Sequence, residues 1–328
     1  MALPQLRPAQ GVVRFYNFLP VGEPFLKDVL EGLAQPQKSL PSKYLYDLHG
    51  CRLFEEACEL SDFYPARAEF ALLRTHADAI AKLVGADCQL IEIGPGSGKR
   101  TPVLIEALQP PLYVLIDIDV AAMQAAADGL ARQFPWLNIV GARADCDPRL
   151  RLPEFVGITI RNKAVYVPSS QMGQFTPEEA LALLQCVRRM LRPGGALLAG
   201  VELKQDRTLI EAACRDATGV SAAFNLNLLA RMNRELGADF QLRRFGHRAI
   251  YDAGRSCVEM RIESLAAQLA HVGGIRFRFD LDESIRTGIC CKYSVAEFHA
   301  LAQRAGFEPA QTWVDAVGRL SLHAMTAV

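Results

Sequence analysis

Gln89-Leu-Ile-Glu-Ile-Gly-Pro-Gly-Ser-Gly-Lys-Arg-Thr101 is the stretch on which the reading of the fold turns. Gln89 to Ile93 is a short apolar run interrupted by one acid, Glu92, as expected of a buried parallel strand reaching the carboxyl edge of its sheet. Gly94, Gly96 and Gly98 follow at once. Glycine lets the backbone turn with positive φ and lets a ligand come close. Thr101 to Leu108 then reads as a helix whose first N–H groups are left to face that ligand. A second strand, Leu112 to Ile116, ends in Asp117, about twenty residues past the loop, where a carboxylate can take both hydroxyls of a ribose. The spacing fits an adenosine cofactor.

Two cofactors compete for that loop. A dinucleotide site wants G-x-G-x-x-G with a pyrophosphate on the helix N-terminus, whereas the glycines here run G-x-G-x-G and Glu92 stands just before them. A carboxylate in that place suits the cationic methionine end of S-adenosylmethionine (SAM) better than a pyrophosphate. Glycine turns also occur wherever a helix packs closely on a strand. Asp117, and Asp145 after a third strand at Asn138 to Ala142, favour the cofactor reading. Asp145 is placed to accept from the adenine amino group, or else to cap a turn.

The 328 residues are half hydrophobic, enough for one large domain and a smaller one. Thirty-six basic and thirty-six acidic residues cancel, without a long run of either sign, so neither nucleic acid nor an anionic membrane is indicated as a partner. No stretch reaches the about 18 apolar residues of a membrane span, and the N-terminus lacks the apolar core of a signal peptide, so a cytoplasmic protein is expected. Nine cysteines, an odd number without repeated spacing, point to reduced thiols and to no metal site. A small-molecule substrate is the implied partner. The oligomeric state is open, with a monomer favoured.

Along the chain, residues 1–60 form an N-terminal segment whose dense aromatics, Tyr44, Tyr46 and Phe54, can serve a pocket or a core. Residues 61–200 carry a clear helix from Ala66 to Val84 and then the strand, glycine loop and helix series of a doubly wound α/β sheet. Its ligands belong beyond the carboxyl ends of the strands. Pro168-Ser-Ser-Gln-Met-Gly-Gln-Phe175 follows the fourth of these strands and offers polar groups to the transferred group, and Thr176-Pro-Glu-Glu caps the next helix. Residues 201–290 contain Gly219-Val-Ser-Ala-Ala-Phe-Asn-Leu-Asn-Leu-Leu-Ala-Arg-Met-Asn-Arg-Glu-Leu236 and then alternating strands near 245–281, an insertion forming a lid or substrate domain. Asn225, Asn227 and Asn233 must satisfy their amides on backbone or on ligand. Residues 291–328 return to the first domain.

Lys43-Tyr-Leu-Tyr-Asp-x-x-Gly, Phe63-Tyr-Pro-x-Arg-x-Glu, the glycine loop, the 219–236 string, Glu259-Met and Lys292-Tyr together resemble the SAM-dependent histidine Nα-methyltransferases of ergothioneine biosynthesis. The likeness runs over nearly the whole chain. It implies a Rossmann-type class I methyltransferase domain and a second α+β substrate domain made mostly by an insertion. The family's cofactor residues fall on Gly94, Gly96, Asp117 and Asp145, with its loop lysine at Arg100 and Lys99 beside it. Its substrate residues fall on different side chains. A tyrosine, an asparagine and a second tyrosine that hold the histidine carboxylate and amine correspond to Phe63, Gln174 and Cys214, and the glutamate and serine that grip the imidazole correspond to Gly288 and Cys290. Tyr46, Phe54 and Met260 keep the family's residue types.

A site built to hydrogen-bond a substrate group loses several kcal/mol when that bond cannot form, so the resemblance implies a pocket remade for a less zwitterionic molecule than histidine. Methyl transfer from a sulfonium is an in-line displacement that needs alignment and dryness more than acid–base chemistry, and no catalytic base stands out. N-methylation of an amino-acid-derived metabolite is the first expectation, with O- or S-methylation open. Cys214, Cys290 and Cys291 could meet in the pocket as thiols or as soft-metal contacts, but the reading preferred is that they are unreactive pocket or core cysteines. The alternative from another class is a protein that binds the cofactor without catalysis.

Overall fold

A computed structural model describes residues 11–19, 24–60, 63–96, 98–145, 152, 158–213 and 218–328, without the side chains of 24 and 211–213. Its strands are β1 (Val13–Asn17), β2 (Cys88–Ile93), β3 (Leu112–Asp117), β4 (Asn138–Arg143), β5 (Asn162–Val167), β6 (Ala196–Glu202), β7 (Phe245–Asp252), β8 (Cys257–Ser264), β9 (Gln268–Val272), β10 (Ile275–Phe279), β11 (Ser284–Cys291), β12 (Phe307–Val314) and β13 (Leu320–Ala327). One sheet runs β1-β4-β3-β2-β5-β6-β13-β12. Pairing is parallel from β1 through β6, and β13 lies antiparallel between β6 and β12. The chain steps from β2 through β3 to β4 on one side, then returns to β5 on the other. At such a reversal the flanking loops diverge and open a crevice at the strands' carboxyl ends. The Rossmann-type sheet expected from the glycine loop is therefore present.

Helices cover both faces of this sheet, and β2 is buried along its whole length, which is why it reads as an apolar run. Asp119 caps the helix Val120–Gln133 by accepting from Ala122 N at 2.8 Å, and Thr176 and Glu179 form a capping box on Pro177–Met190. The single helix expected from Ala66 to Val84 is two, Pro65–Thr75 and Ala77–Val84. His76 breaks it at φ −110° and ψ 13° and stacks on Trp313, with ring centroids 5.0 Å apart. Apolar periodicity does not register such a turn, because the two helices keep their apolar faces on the same core.

A second body holds the antiparallel sheet β11-β8-β7, the hairpin β9-β10 and the helix Val220–Leu236. Its core also takes in Phe25, Val29 and Leu33 from the N-terminal helix Pro24–Leu33, together with Leu40 and Leu45. The three asparagines of that string serve structure. Asn225 donates to Arg261 O at 3.0 Å and accepts from Thr287 Oγ1 at 2.5 Å, Asn227 donates to Asp47 Oδ1 at 2.8 Å, and Asn233 exchanges two bonds with the backbone of Phe240. Asp47 also caps the helix Leu48–Glu59 through Gly50 N at 2.7 Å. A Cβ at Gly50 would lie 1.8 Å from Leu45 O, so the Asp-x-x-Gly of the motif is a fold device.

The expectation of reduced thiols throughout is corrected at one pair. Cys257 and Cys291 stand opposite each other on β8 and β11 and form a disulfide. They are 34 residues apart in sequence, so only strand register brings them together. Cys51, Cys58, Cys88, Cys186 and Cys290 carry no disulfide. No group of metal-binding side chains is found, and no helix is long and apolar enough to cross a membrane, among the described residues.

Candidate active site

A cavity of about 1030 Å³ lies over the carboxyl ends of β2, β3 and β4 and runs between the two bodies. Gly94, Gly96, Arg100, Asp117 and Asp145 line one part of it. The three loop glycines have φ of 63°, 59° and 71°, the left-handed region that residues with a Cβ occupy only with strain. A Cβ on Gly94 would lie 2.2 Å from Gln171 Nε2, because the Gln171 side chain folds over the loop. Gly94→Ala is accordingly expected to cost about 1–2 kcal/mol of stability from the backbone alone and to push Gln171 into the cavity. Chemical denaturation and titration with S-adenosylhomocysteine (SAH) would register the two effects separately.

Asp117 Oδ1 accepts from Ile118 N at 2.7 Å and from Asp119 N at 3.1 Å, so Oδ2 keeps its lone pairs for a partner in the cavity. Burial pushes its carboxyl up to about 6, against the pull of those two N–H groups. Asp145 is more exposed and stands 3.8 Å from Lys43 Nζ, which also pairs with Asp28 at 3.3 Å. Burial opposes the charge of Arg100, and Glu69 leads the neighbouring groups that outweigh it and hold the guanidinium above its usual range. Lys99, expected beside it, points elsewhere. It pairs with Glu55 and Glu59 at 3.1 and 3.2 Å on the helix Leu48–Glu59, since successive residues of the loop turn to different sides.

Glu92 likewise does not face the cavity. Side chains alternate along β2, so Ile91 and Ile93 share one face while Glu92 lies on the other. There it accepts from Thr101 Oγ1 and Tyr113 OH, both at 2.8 Å. Through Oε2 it fixes the first turn of the helix Thr101–Leu108.

Tyr46, Phe54, Gln174 and Gly288 line the rest of the cavity. Tyr46 packs edge-on against Phe54 and Phe224, with centroids 5.6 and 5.3 Å away, and its hydroxyl accepts from Gln174 Nε2 at 3.0 Å. Gln174 also donates to Ser170 O at 2.7 Å and accepts from Ser42 Oγ at 3.2 Å. Phe63, Met260 and Cys290 stand one layer back. Phe63 meets Phe54 edge-on at 6.0 Å, and the Met260 Cε lies 2.8 Å from where a Cβ on Gly288 would sit. Cys290 donates to Glu202 Oε1 at 3.2 Å. Cys214 lies outside the described residues. The alternative in which Cys290 meets Cys291 does not hold, because neighbours on a strand point to opposite faces and Cys291 is held by Cys257.

Several contributors were not singled out in the sequence. Glu69 is fully buried and accepts from Ser169 N at 2.9 Å and Ser169 Oγ at 2.8 Å, which seats the loop that carries Ser170, Gln171 and Gln174. A Cβ at Gly200 would fall 1.9 Å from Glu69 Oε1, so the glycine makes room for that carboxylate. The acid of the Phe-Tyr-Pro-x-Arg-x-Glu motif was the available signal.

The model of the SAM-dependent histidine-specific methyltransferases matches residues 25–327. The chain belongs to this family. A histidine N-alpha-methyltransferase of Mycolicibacterium smegmatis is 32% identical over 306 residues, covering 92% of this chain and 94% of its own. One from Mycobacterium tuberculosis is 32% identical over 310 residues, covering 90% and 92%. A 4-dimethylallyltryptophan N-methyltransferase of Aspergillus fumigatus is 22% identical, covering 87% and 88%. As a member of this family the chain is a SAM-dependent methyltransferase acting on a small molecule. Its glycine loop suits SAM on this structure's own geometry: the loop backbone is open towards the cavity at Gly96, and Asp117 keeps one carboxylate oxygen for a ligand.

Proposed function

We propose that this methyltransferase N-methylates a small amino-acid-derived metabolite other than free histidine. The observation that carries the proposal is the floor at Gly288, where the family's imidazole-gripping acid has no counterpart and Met260 fills the space a side chain would take. The three side chains nearest that position, Met260, Ser42 and Leu45, include none that ionises. Phe63 has no hydroxyl, and both amide N–H donors of Gln174 are already taken by Tyr46 and Ser170, so neither is left for a carboxylate, while Oε1 keeps acceptor capacity beside Ser42. Relatives that act on other amino-acid derivatives, as the name of the Aspergillus fumigatus protein states, support the reading.

Bound SAM supplies the methyl group and a neutral sulfide leaving group. In this reading Gly94, Gly96 and Arg100 hold its methionine end, Asp117 its ribose and Asp145 its adenine. Tyr46, Phe54 and Phe63 shape a dry wall, and Gln174, fixed by three partners, orients the acceptor, so most of the acceleration comes from alignment. L-histidine Nα-methylation is the second reading, favoured by the two mycobacterial relatives. Calorimetric titration of histidine into the SAH-saturated protein separates them. No heat at millimolar histidine, with SAH bound and methyl transfer to other amino-acid-derived amines, is the expected result. Saturable histidine binding followed by Nα-methylation would overturn it.

A further inference from the structure

On the wall of the same cavity the second body presents two guanidinium groups. Arg255 sits in the turn between β7 and β8 and Arg286 on β11, and both line the cavity. Behind them lies Glu259 of β8, 7% exposed. Its Oε1 accepts from Arg255 Nη1 at 3.0 Å, and its Oε2 accepts from Arg261 Nε and Nη2 at 3.1 and 2.6 Å. Arg286 Nη1 stands 4.0 Å from Oε1, beyond hydrogen-bond reach. Three guanidinium groups thus surround one carboxylate, and Arg261 takes the better share of it while also reaching Ser284 Oγ at 3.4 Å. An excess of two positive charges remains, and it is carried by the two arginines that face the cavity.

The backbone that carries these two side chains is held in place. Arg286 is fixed through its backbone, donating to Lys38 O at 2.9 Å and accepting from Leu40 N at 2.8 Å. The Arg255 backbone N–H donates to Asp252 Oδ1 at 3.1 Å. Their side chains are 44% and 38% exposed, so donors remain open to the cavity. Of the other acids that line this cavity, Asp28 pairs with Lys43, Glu31 stands 3.8 Å from Lys27, Glu55 pairs with Lys99, Glu179 accepts from Thr176 N, and Asp117 and Asp145 belong to the cofactor end. Each guanidinium offers five donors in a planar fork that matches the oxygens of a carboxylate or phosphate, and a concave, partly desolvated wall strengthens that match.

We infer that Arg255 and Arg286 form an oxyanion subsite that receives a carboxylate or phosphate of the methyl acceptor, carried at the end remote from the nitrogen being methylated. The inference rests on the reading of the cavity as an amine methyltransferase site, and it goes further by fixing the charge and layout of the acceptor. The subsite belongs to the second body, whereas Gly94 and Asp117 belong to the first.

The test is calorimetric titration of inorganic phosphate, and separately of glutarate, into the SAH-saturated protein, its Arg286→Gln variant and the Arg255→Gln/Arg286→Gln double variant. The wild type should bind at least one of the two anions in a salt-sensitive manner, with phosphate or glutarate identifying the preferred group. Arg286→Gln should weaken that binding several-fold and the double variant at least tenfold, with SAH affinity unchanged as the control of folding. Absence of binding by both anions, or equal binding by wild type and double variant, would overturn the subsite. If Arg255→Gln disturbs the turn and lowers SAH affinity, the single Arg286→Gln variant, whose side chain makes no close pair, decides alone. The underlying reading fails differently: anions bind and respond to the variants while no amine in an acceptor panel is methylated.

Discussion

Lys292→Met is expected to lower the unfolding free energy by about 3–5 kcal/mol, a large share of the about 5–15 kcal/mol typical of a folded chain. Lys292 and Glu202 are 7% exposed each, and the ammonium donates to Glu202 Oε2. Burial opposes the charge of Lys292, and Cys290 and Glu202 beside it outweigh that and hold it well above the usual lysine range. The methionine side chain would fill the volume but leave Glu202 with a thiol at 3.2 Å and the Tyr64 hydroxyl at 3.5 Å, too little for a buried carboxylate. Pairing Lys292→Met with Glu202→Leu should recover part of the loss, because two charges then leave the interior together. Urea denaturation of the wild type, the single variant and the double variant measures both. A single variant within about 1 kcal/mol of wild type would show that the pair is already open to water.

Asp117→Ala is expected to weaken SAH binding by about 10- to 100-fold, the equivalent of one charge-assisted hydrogen bond. Its pH dependence is the sharper test. The carboxyl releases its proton at about 6, so a ligand that needs the carboxylate meets growing proton competition below that pH. SAH affinity of the wild type should fall by up to about tenfold per pH unit below 6 and level off above it, and the slope should vanish in Asp117→Asn. Stability runs the opposite way. A carboxyl raised from about 4 in the unfolded chain favours the cofactor-free fold at acidic pH, and that contribution is lost as pH rises from about 4 through 6. An affinity that is flat from pH 5 to 8 would remove Asp117 from the ribose.

What could be read in the sequence was local. The apolar run of β2, the glycines after it and the acid ending β3 each follow from the backbone requirements of one strand or turn. Asp47 and Gly50 sit in a motif that was legible, although as a resemblance rather than as the cap and close contact they form. What escaped depends on partners remote in the chain. Glu69 meets Ser169 a hundred residues on, Cys257 meets Cys291 through strand register, and Glu259 gathers arginines from β8, its preceding turn and β11. Direction also escaped: Glu92 and Lys99 have the right chemistry for the loop but point away from it, as strand alternation and turn geometry dictate.

The seam between the two bodies carries a consequence for engineering. Tyr293 N donates to Glu202 O at 3.1 Å and Lys204 N to Tyr293 O at 3.0 Å, while Leu40 and Lys38 bond Arg286 from the amino-terminal side. Phe25, Val29 and Leu33 complete the core that the inserted strands begin. The insertion is therefore no cassette. A chimera that moved only 203–292 onto another methyltransferase would leave a half-filled core and unpaired main-chain groups at both junctions. Recombination that exchanges pockets among relatives should carry 24–60 and 203–293 as one block.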